Sequence, residues 1–326
     1  LYLKVIRQLM TILKYALILS LILFHGRAFA QTSSTQKVEI AYMITPSAKT
    51  KKIKFRCLVP RDIPNIQKIK NIKYSIAPTS IIEEGDSRYA NFLFTGIHKP
   101  ISLKIKYTIA LEETDLAHPN KLELKQSTPL DSFLIEERFI ELSDPLIAST
   151  AQKLKDNDTL GTVKNIYQFV SKKLKYGGFN TADIGAAKAL RQKEGDCTEF
   201  TDLFVALCRI NGIPARVIDG YKADYNNTPL HSWPEAYIKE YGWIRFDPTP
   251  GNAIDFTKLR PTYIQLSTLR NNPKLNNGHF ILFLAQKLSK LNRFSKMLES
   301  GPYYKNWSKG YLESVKGFRE RKTPKV

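Results

Sequence analysis

Two of the three cysteines lie in one stretch, KEGDCTEFTDLFVALCRI, and their surroundings differ. Cys197 opens an apolar segment of helical periodicity, and the flanking residues Asp196 and Glu199 have the spacing of a capping box. This pattern predicts a helix with Cys197 in its first turn, where backbone N–H groups and the helix dipole favour a thiolate. Because the thiolate is the reactive form of cysteine, Cys197 is a candidate nucleophile.

The other two cysteines have apolar surroundings. Cys208 lies about three turns further along the same predicted helix, and Cys57 lies in a strand-like pattern. About 16 Å of helix would separate Cys208 from Cys197, whereas a disulfide requires Cα atoms within about 7 Å. We therefore expect Cys57 and Cys208 to be buried core residues.

A base and its orienting group, which a cysteine nucleophile needs, are found downstream. The segments HSWPEAYI and GWIRFDPTP have the composition of two antiparallel strands. If their hairpin turns near Lys239, His231 lies opposite Asp247, within reach of an imidazole–carboxylate hydrogen bond. The same register would pair Trp233 with Arg245. Either residue alone is more often structural, so the hypothesis of catalysis rests on their joint arrangement with a cysteine at a helix start.

The periodicity of the chain divides it into a β-rich part and a mixed part. Residues 31–142 contain several alternating segments separated by turn residues, which predicts a β-sandwich-like domain. From residue 143 the period becomes helical, and three helix-like segments and the helix predicted from Cys197 precede the strand-like ARVIDGYKA, HSWPEAYIKE and GWIRFDPTP. Residues 143–255 are therefore expected to form an α+β domain with helices packed on an antiparallel sheet.

The N-terminal segment has the pattern of a secretory signal peptide. Lys14 provides a basic flank, YALILSLILF is about ten residues long and too short to span a bilayer, and the segment ends with an A-x-A-like site at Ala30. We expect residues 1–30 to be removed and the protein to be periplasmic or secreted. The alternative is an uncleaved segment that anchors the chain to the membrane.

The chain is strongly basic, with a formal net charge of +20 over 326 residues. Residues 256–326 contain 15 Lys and Arg against 3 Asp and Glu, and GHFILFLAQKLSKLNRFSKMLES has the pattern of an amphipathic helix. We expect this region to be a basic, partly helical C-terminal extension. Its basic face is either solvated or binds an anionic envelope polymer or membrane surface. No nucleic-acid-binding motif is present, and nucleic acid is not an expected partner.

Three motifs in this order resemble the transglutaminase-like superfamily, in its bacterial exported branch. They are GDCTEFTDLFVALCRINGIPARVIDGY, HSWPEAYI and GWIRFDPTP, and the resemblance covers about 110 residues. It implies a papain-like or transglutaminase-like fold, with Cys197 as nucleophile, His231 as base and Asp247 as the group that orients it. Pro234 departs from the usual apolar strand residue and indicates a sheet edge at that point.

The expected activity is acyl transfer from an amide through an acyl-enzyme, most simply as a cysteine peptidase or amidase acting on a peptide or protein. The alternatives are a protein-crosslinking transglutaminase and a non-catalytic binding or assembly module. Tyr176 is a candidate oxyanion donor or subsite residue, and Trp233 is expected to roof or pack the site. Neither a metal nor a cofactor is expected.

Overall fold

The computed structural model of the protein describes residues 32–46, 50–117, 129–178, 183–224, 230–250, 255–277, 279 and 281–287. All described elements belong to the compact unit that begins at Ser33. The predicted signal peptide, residues 1–30, lies outside the described residues. The fold is α+β, with two β-rich layers in the N-terminal part and helices packed on an antiparallel sheet after them.

The N-terminal strands form two sheets that face each other. One sheet has the order β1-β6-β3, and the other has the order β15-β2-β5-β4, in which β15 is the strand Ile281–Lys287. The strands of the N-terminal part are β1 Ser33–Ile44, β2 Thr50–Leu58, β3 Gln67–Tyr74, β4 Ser80–Glu84, β5 Ser87–Thr95, β6 Ile101–Glu112 and β7 Thr114–Asp115. Alternate residues of β1 and β6 are buried between the sheets, as the period-two pattern predicts.

Four helices follow, and local sequence explains where they begin. They are α1 Pro145–Leu154, α2 Thr159–Lys173, α3 Gly185–Gln192 and α4 Cys197–Ile210. Asp144 and Asp158 cap the first two with side-chain hydrogen bonds, and Pro145 occupies the first turn of α1. Helix α4 is buried on nearly all sides and packs against the other three helices and the next sheet.

The second antiparallel sheet has the order β12-β11-β10-β14. Its strands are β10 Ala215–Lys222, β11 Leu230–Ile238, β12 Gly242–Arg245 and β14 Tyr263–Ser267, and the short pairs are β8 Lys175–Tyr176 with β9 Glu194–Gly195 and β13 Lys258–Leu259 with β7. The expectation of an edge at Pro234 is wrong for the β10 side, because Pro234 pairs with Val217 there. On the other side, Pro234 C=O accepts from Phe246 N–H at 3.0 Å, just past the last paired residue of β12, so the missing N–H falls where the β12 ladder ends.

The C-terminal part differs from the expected helical extension. The segment that was expected to begin an amphipathic helix contains a strand, β15 Ile281–Lys287, which pairs with β2 of the N-terminal sheet. The helix prediction is therefore wrong over these residues, since pairing with an available edge of β2 overrides the local pattern. The rest of the predicted helix lies outside the described residues.

The two large apolar cores meet at the second sheet. One core lies between the helices and β10–β12. The core between the N-terminal sheets also includes Tyr221, Ala223, Ile264 and Leu266 of the second sheet and its flank. The N-terminal strands keep sheets of their own, apart from the strand at the C-terminal end, but share apolar contacts with the later part. The domain boundaries at residues 142 and 255 stay a prediction.

Candidate active site

Cys197 is the first residue of α4, as the sequence predicts. Asp196 caps this helix: its carboxylate accepts from Thr198 N–H at 2.8 Å and from the N–H of Glu199, whose own carboxylate accepts from Asp196 N–H at 3.0 Å. Gly195 precedes the cap because a Cβ there would lie 2.5 Å from the Cβ of Glu199. The capping contact of Glu199 at the start of α4 therefore requires a residue without a Cβ atom at position 195.

The imidazole of His231 lies between Asp247 and Cys197. Its Nε2–H donates to Asp247 Oδ2 at 2.7 Å, and a hydrogen bond also joins the ring to the Cys197 side chain. Since Nε2 is occupied, Nδ1 faces the sulfur. Burial alone would lower the pKa of His231, but the charge of Asp247 and these two hydrogen bonds raise it to about 10. The imidazolium is therefore the favoured form at neutral pH.

The His231–Asp247 contact forms in a register different from the expected one. Residue Glu235 pairs with Arg245, and Tyr237 pairs with Trp243, so the hairpin is displaced by two residues and Trp233 does not pair with Arg245. A shift of two keeps every side chain on the same face of the sheet. Asp247 lies just beyond the end of β12 and reaches His231 diagonally, which is why the contact survives the error in register.

Tyr263 of β14 is a functional-site residue that sequence reasoning missed. Its hydroxyl donates to Asp247 Oδ2 at 2.6 Å, the same oxygen that accepts from His231. Thr249 N–H donates to Asp247 Oδ1 at 3.0 Å. Burial alone would raise the pKa of Asp247, but His231, Tyr263 and Thr249 together lower it, so the carboxylate stays ionised. No local signal marks Tyr263, because β14 joins the site only through tertiary pairing with β10.

Trp233 packs the site from within. It is fully buried, and its ring stacks on that of His231 with centroids 6.0 Å apart and meets Tyr263 edge-on at 5.2 Å. Gly220 of β10 makes this packing possible, because a Cβ there would lie 2.6 Å from the Trp233 ring and 2.1 Å from the Ile264 carbonyl oxygen. Trp233 therefore holds the imidazole from one side.

Tyr176 lies near Cys197 and is 43% exposed. The parallel pairing of β8 with β9 sets Tyr176 beside Gly195, two residues before the cysteine. Partial burial, followed by the negative charge of Cys197, raises the pKa of Tyr176 to about 12. Its hydroxyl thus stays protonated at neutral pH and is able to donate a hydrogen bond near Cys197.

Cys57 and Cys208 are fully buried, and all three cysteines are free thiols. Burial raises the pKa of both Cys57 and Cys208. They therefore remain protonated, and the prediction that they are core residues is confirmed.

A buried ionic cluster lies beside the site and was not foreseen. Arg270 binds both carboxylate oxygens of Asp202 on α4, at 2.7 and 2.9 Å. His279 contacts Asp183 and donates to Asp219 at 2.8 Å. Burial would lower the pKa of His279, but Asp219 and Asp183 raise it well above its usual value. The cluster joins the C-terminal segment to α4 and β10.

The described part of the chain was also informative about membrane crossing and metal binding. No helix there has the length and apolar composition needed to cross a bilayer. Nor do those residues include a group of three or more His, Cys, Asp or Glu side chains placed to hold a metal ion.

Comparison with known proteins agrees with this arrangement. Residues 148–248, which contain the cysteine, the histidine and the aspartate, match the family model of the transglutaminase-like superfamily. These residues form a transglutaminase-like domain. A crystal structure of a candidate cysteine protease from Cytophaga hutchinsonii superposes with a TM-score of 0.57, at 18% identity, and covers 82% of this chain and 96% of that one. At this identity the likeness shows the fold.

The chain also has relatives among curated proteins. The uncharacterized protein YebA of Bacillus subtilis is 37% identical over 81 residues, which are 20% of this chain and 11% of YebA. The uncharacterized protein ML0607 of Mycobacterium leprae is 26% identical over 149 residues, which are 40% of this chain and 52% of ML0607. The chain thus spans about a tenth of the first relative and about half of the second.

Proposed function

We propose that the protein is an exported cysteine enzyme that transfers acyl groups from amide bonds, and that it acts on peptides or proteins as a peptidase or amidase. The observation that carries the proposal is the buried His231, bound on one side to Asp247 and on the other to Cys197. A buried imidazolium beside a thiol at a helix N-terminus favours a thiolate–imidazolium pair, which is the activated form of a cysteine nucleophile.

In the proposed reaction, the Cys197 sulfur attacks the carbonyl carbon of the amide. The negative charge that develops on the carbonyl oxygen needs N–H or O–H donors near the nucleophile. The capping contacts of Asp196 use the N–H groups of Thr198 and Glu199 and not that of Cys197. The Cys197 N–H is thus proposed as one oxyanion donor, and the Tyr176 hydroxyl as a second donor or a substrate contact.

His231 then gives its proton to the leaving amine as the C–N bond breaks, and an acyl-enzyme remains on Cys197. Water attacks this thioester, His231 takes the proton of the water, and the acid product leaves with the thiolate restored. Asp247 keeps the imidazole in the orientation required for both steps. An amine in place of water would give crosslinking.

Site-specific labelling tests the proposal. Under limiting iodoacetamide at neutral pH, we expect Cys197 to be alkylated much faster than Cys57 and Cys208, which are buried thiols. Replacing Cys197 with Ala should abolish labelling and amide cleavage together, whereas Cys208→Ala should cost some stability through lost packing and little activity. Replacing Asp247 with Asn should lower the rate of cleavage by roughly 10²–10⁴ without removing the labelling site.

The same preparation separates the alternatives. Release of new amino termini from a protein substrate supports hydrolysis. A crosslinking enzyme is supported instead if a fluorescent amine is incorporated into the substrate faster than new amino termini are released. If Cys197 reacts no faster than Cys208 and neither product forms, the proposal fails and a non-catalytic binding module replaces it.

A further inference from the structure

The outer face of the three-stranded sheet β1-β6-β3 is dominated by lysine side chains. Six of them point away from the sandwich core, two of them on the central strand β6: Lys37, Lys68, Lys70, Lys73, Lys104 and Lys106. We call this surface the lysine face. The other side of the same strands is buried in the sandwich core, which also contains residues of β2 and β5. The lysine face is thus a solvent-exposed surface on one side of an antiparallel sheet.

Acidic residues offset only part of this charge. Glu39 binds Lys106 at 2.6 Å and Lys104 at 3.5 Å in the middle of the face. Asp62 at the border binds Lys68 at 3.0 Å, and Glu112 lies at the far end. Among the described residues, no carboxylate forms an ion pair with the remaining three lysines of the face. A net positive charge therefore remains on it.

Protection of sheet edges explains only the four lysines on the edge strands β1 and β3. Lysines on edge strands prevent unwanted strand pairing, but Lys104 and Lys106 lie on β6, which has a partner on both sides. In addition, Lys106 lies directly opposite Lys73 in the ladder. Like charges in this position destabilise a sheet. A surface that keeps such a pair is better explained by an anionic partner that offsets the repulsion.

The chemistry of the face favours a flat anionic surface as that partner. Its outward positions include lysines but no arginine, which suits diffuse attraction to many charges rather than bidentate recognition of one group. The outward positions also lack aromatic residues, on which sugars or bases would stack. We propose that the lysine face docks the protein onto a lipid bilayer rich in anionic headgroups.

Vesicle binding by the full chain tests this proposal. The vesicles are phosphatidylcholine with about one third phosphatidylglycerol, and pure phosphatidylcholine vesicles are the reference. The variant Lys73→Gln/Lys104→Gln/Lys106→Gln should bind the anionic vesicles roughly tenfold more weakly or worse, and the binding of the parent should weaken as salt is added. Every variant keeps the same N-terminal and C-terminal segments, so the difference reports on the lysine face.

A matched control removes the same charge elsewhere. Lys153, Lys164 and Lys172 are exposed on α1 and α2, and their triple replacement with Gln should change vesicle binding by less than about twofold. Conversely, Glu39→Gln makes the face more basic and should tighten binding. It also keeps the proposal testable if the triple variant fails to fold, as its melting curve would show.

Three results would overturn the proposal. The first is equal weakening by both triple variants, which would indicate general charge attraction, and the second is no weakening by the lysine-face variant. The third is a lysine-face variant that no longer binds a soluble polyanion such as heparin but still binds anionic vesicles as the parent does. The partner of the face would then be a linear anionic polymer.

Discussion

At the scale of single residues, the site is organised around one carboxylate oxygen. Asp247 Oδ2 accepts from both His231 and Tyr263, at 2.7 and 2.6 Å. The hydrogen bond from the tyrosine hydroxyl stabilises the negative charge of Asp247 and so weakens its attraction for the imidazolium of His231. Tyr263 is therefore a positioning residue that both fixes the carboxylate and moderates its hold on the His231 proton.

Replacing Tyr263 with Phe removes this hydroxyl and retains the ring that contacts Trp233. The Asp247 charge should then act more strongly on His231, whose pKa should rise further. We expect the alkaline limb of the pH profile for amide cleavage, which follows loss of the His231 proton, to move to higher pH, together with a partial loss of the maximal rate.

A second tyrosine provides the control for this prediction. Tyr42→Phe removes a buried hydroxyl in the sandwich core, where it lies 3.4 Å from the hydroxyl of Tyr221. It should affect stability without moving the pH profile. An unchanged profile in Tyr263→Phe, with only a lower melting temperature, would show that Tyr263 is merely structural.

At the scale of elements, two sets of contacts fix the position of α4 and therefore of Cys197 at its start. Its capping box fixes where the helix begins, and the ion pair of Asp202 with Arg270 attaches its second turn to the segment after β14. Both side chains of the pair are almost completely buried. Removal of one partner would leave an uncompensated charge in the interior, which is far more costly than the loss of a surface pair.

Arg270→Gln should accordingly destabilise the protein by about 3–5 kcal/mol in urea unfolding. The control is Arg191→Gln, which breaks a pair with Asp144 in which the arginine is half exposed. That variant should cost less than about 1 kcal/mol. Similar losses in the two variants would contradict the structural role assigned to the buried cluster.

At the scale of the whole molecule, the described chain after residue 255 adds one strand to the sheet of β10–β12 and one strand to the N-terminal sheet of β2. Strand β14 pairs with β10 and brings Tyr263 to the site, and β15 pairs with β2 of the N-terminal sandwich. The ionic cluster adds Arg270 and His279 from the same part of the chain. The described residues between 256 and 287 thus form part of the folded protein.

Truncation tests this conclusion. A chain ending at residue 255 loses one partner of β10, one partner of β2 and the partner of Asp202, so we expect it to aggregate or to lack a cooperative unfolding transition. A chain ending at residue 287 retains all described elements and should keep its melting transition and the labelling of Cys197. A stable chain ending at 255 would restore the boundary that the composition suggested.

Sequence alone was sufficient wherever the determining interactions are local. The cap of α4, the position of Cys197 in its first turn and the alternation of β1 and β6 each depend on residues a few positions apart. The hydrogen bond between His231 and Asp247 was also predictable from the sequence. A hairpin links the two residues, and a register shift of two leaves both side chains on the same face of the sheet.

The tertiary structure decided whatever depends on residues distant in the chain. Tyr263, Arg270 and strand β15 carry no local sign of their roles, since each acquires its partner only when the chain returns to an existing sheet or helix. The segment of β15 favours a helix by pattern, yet the backbone hydrogen bonds offered by β2 outweigh that modest preference. Local periodicity predicted most of the helices and strands and the position of Cys197 at a helix start, whereas long-range strand pairing brought Tyr263 to the candidate site.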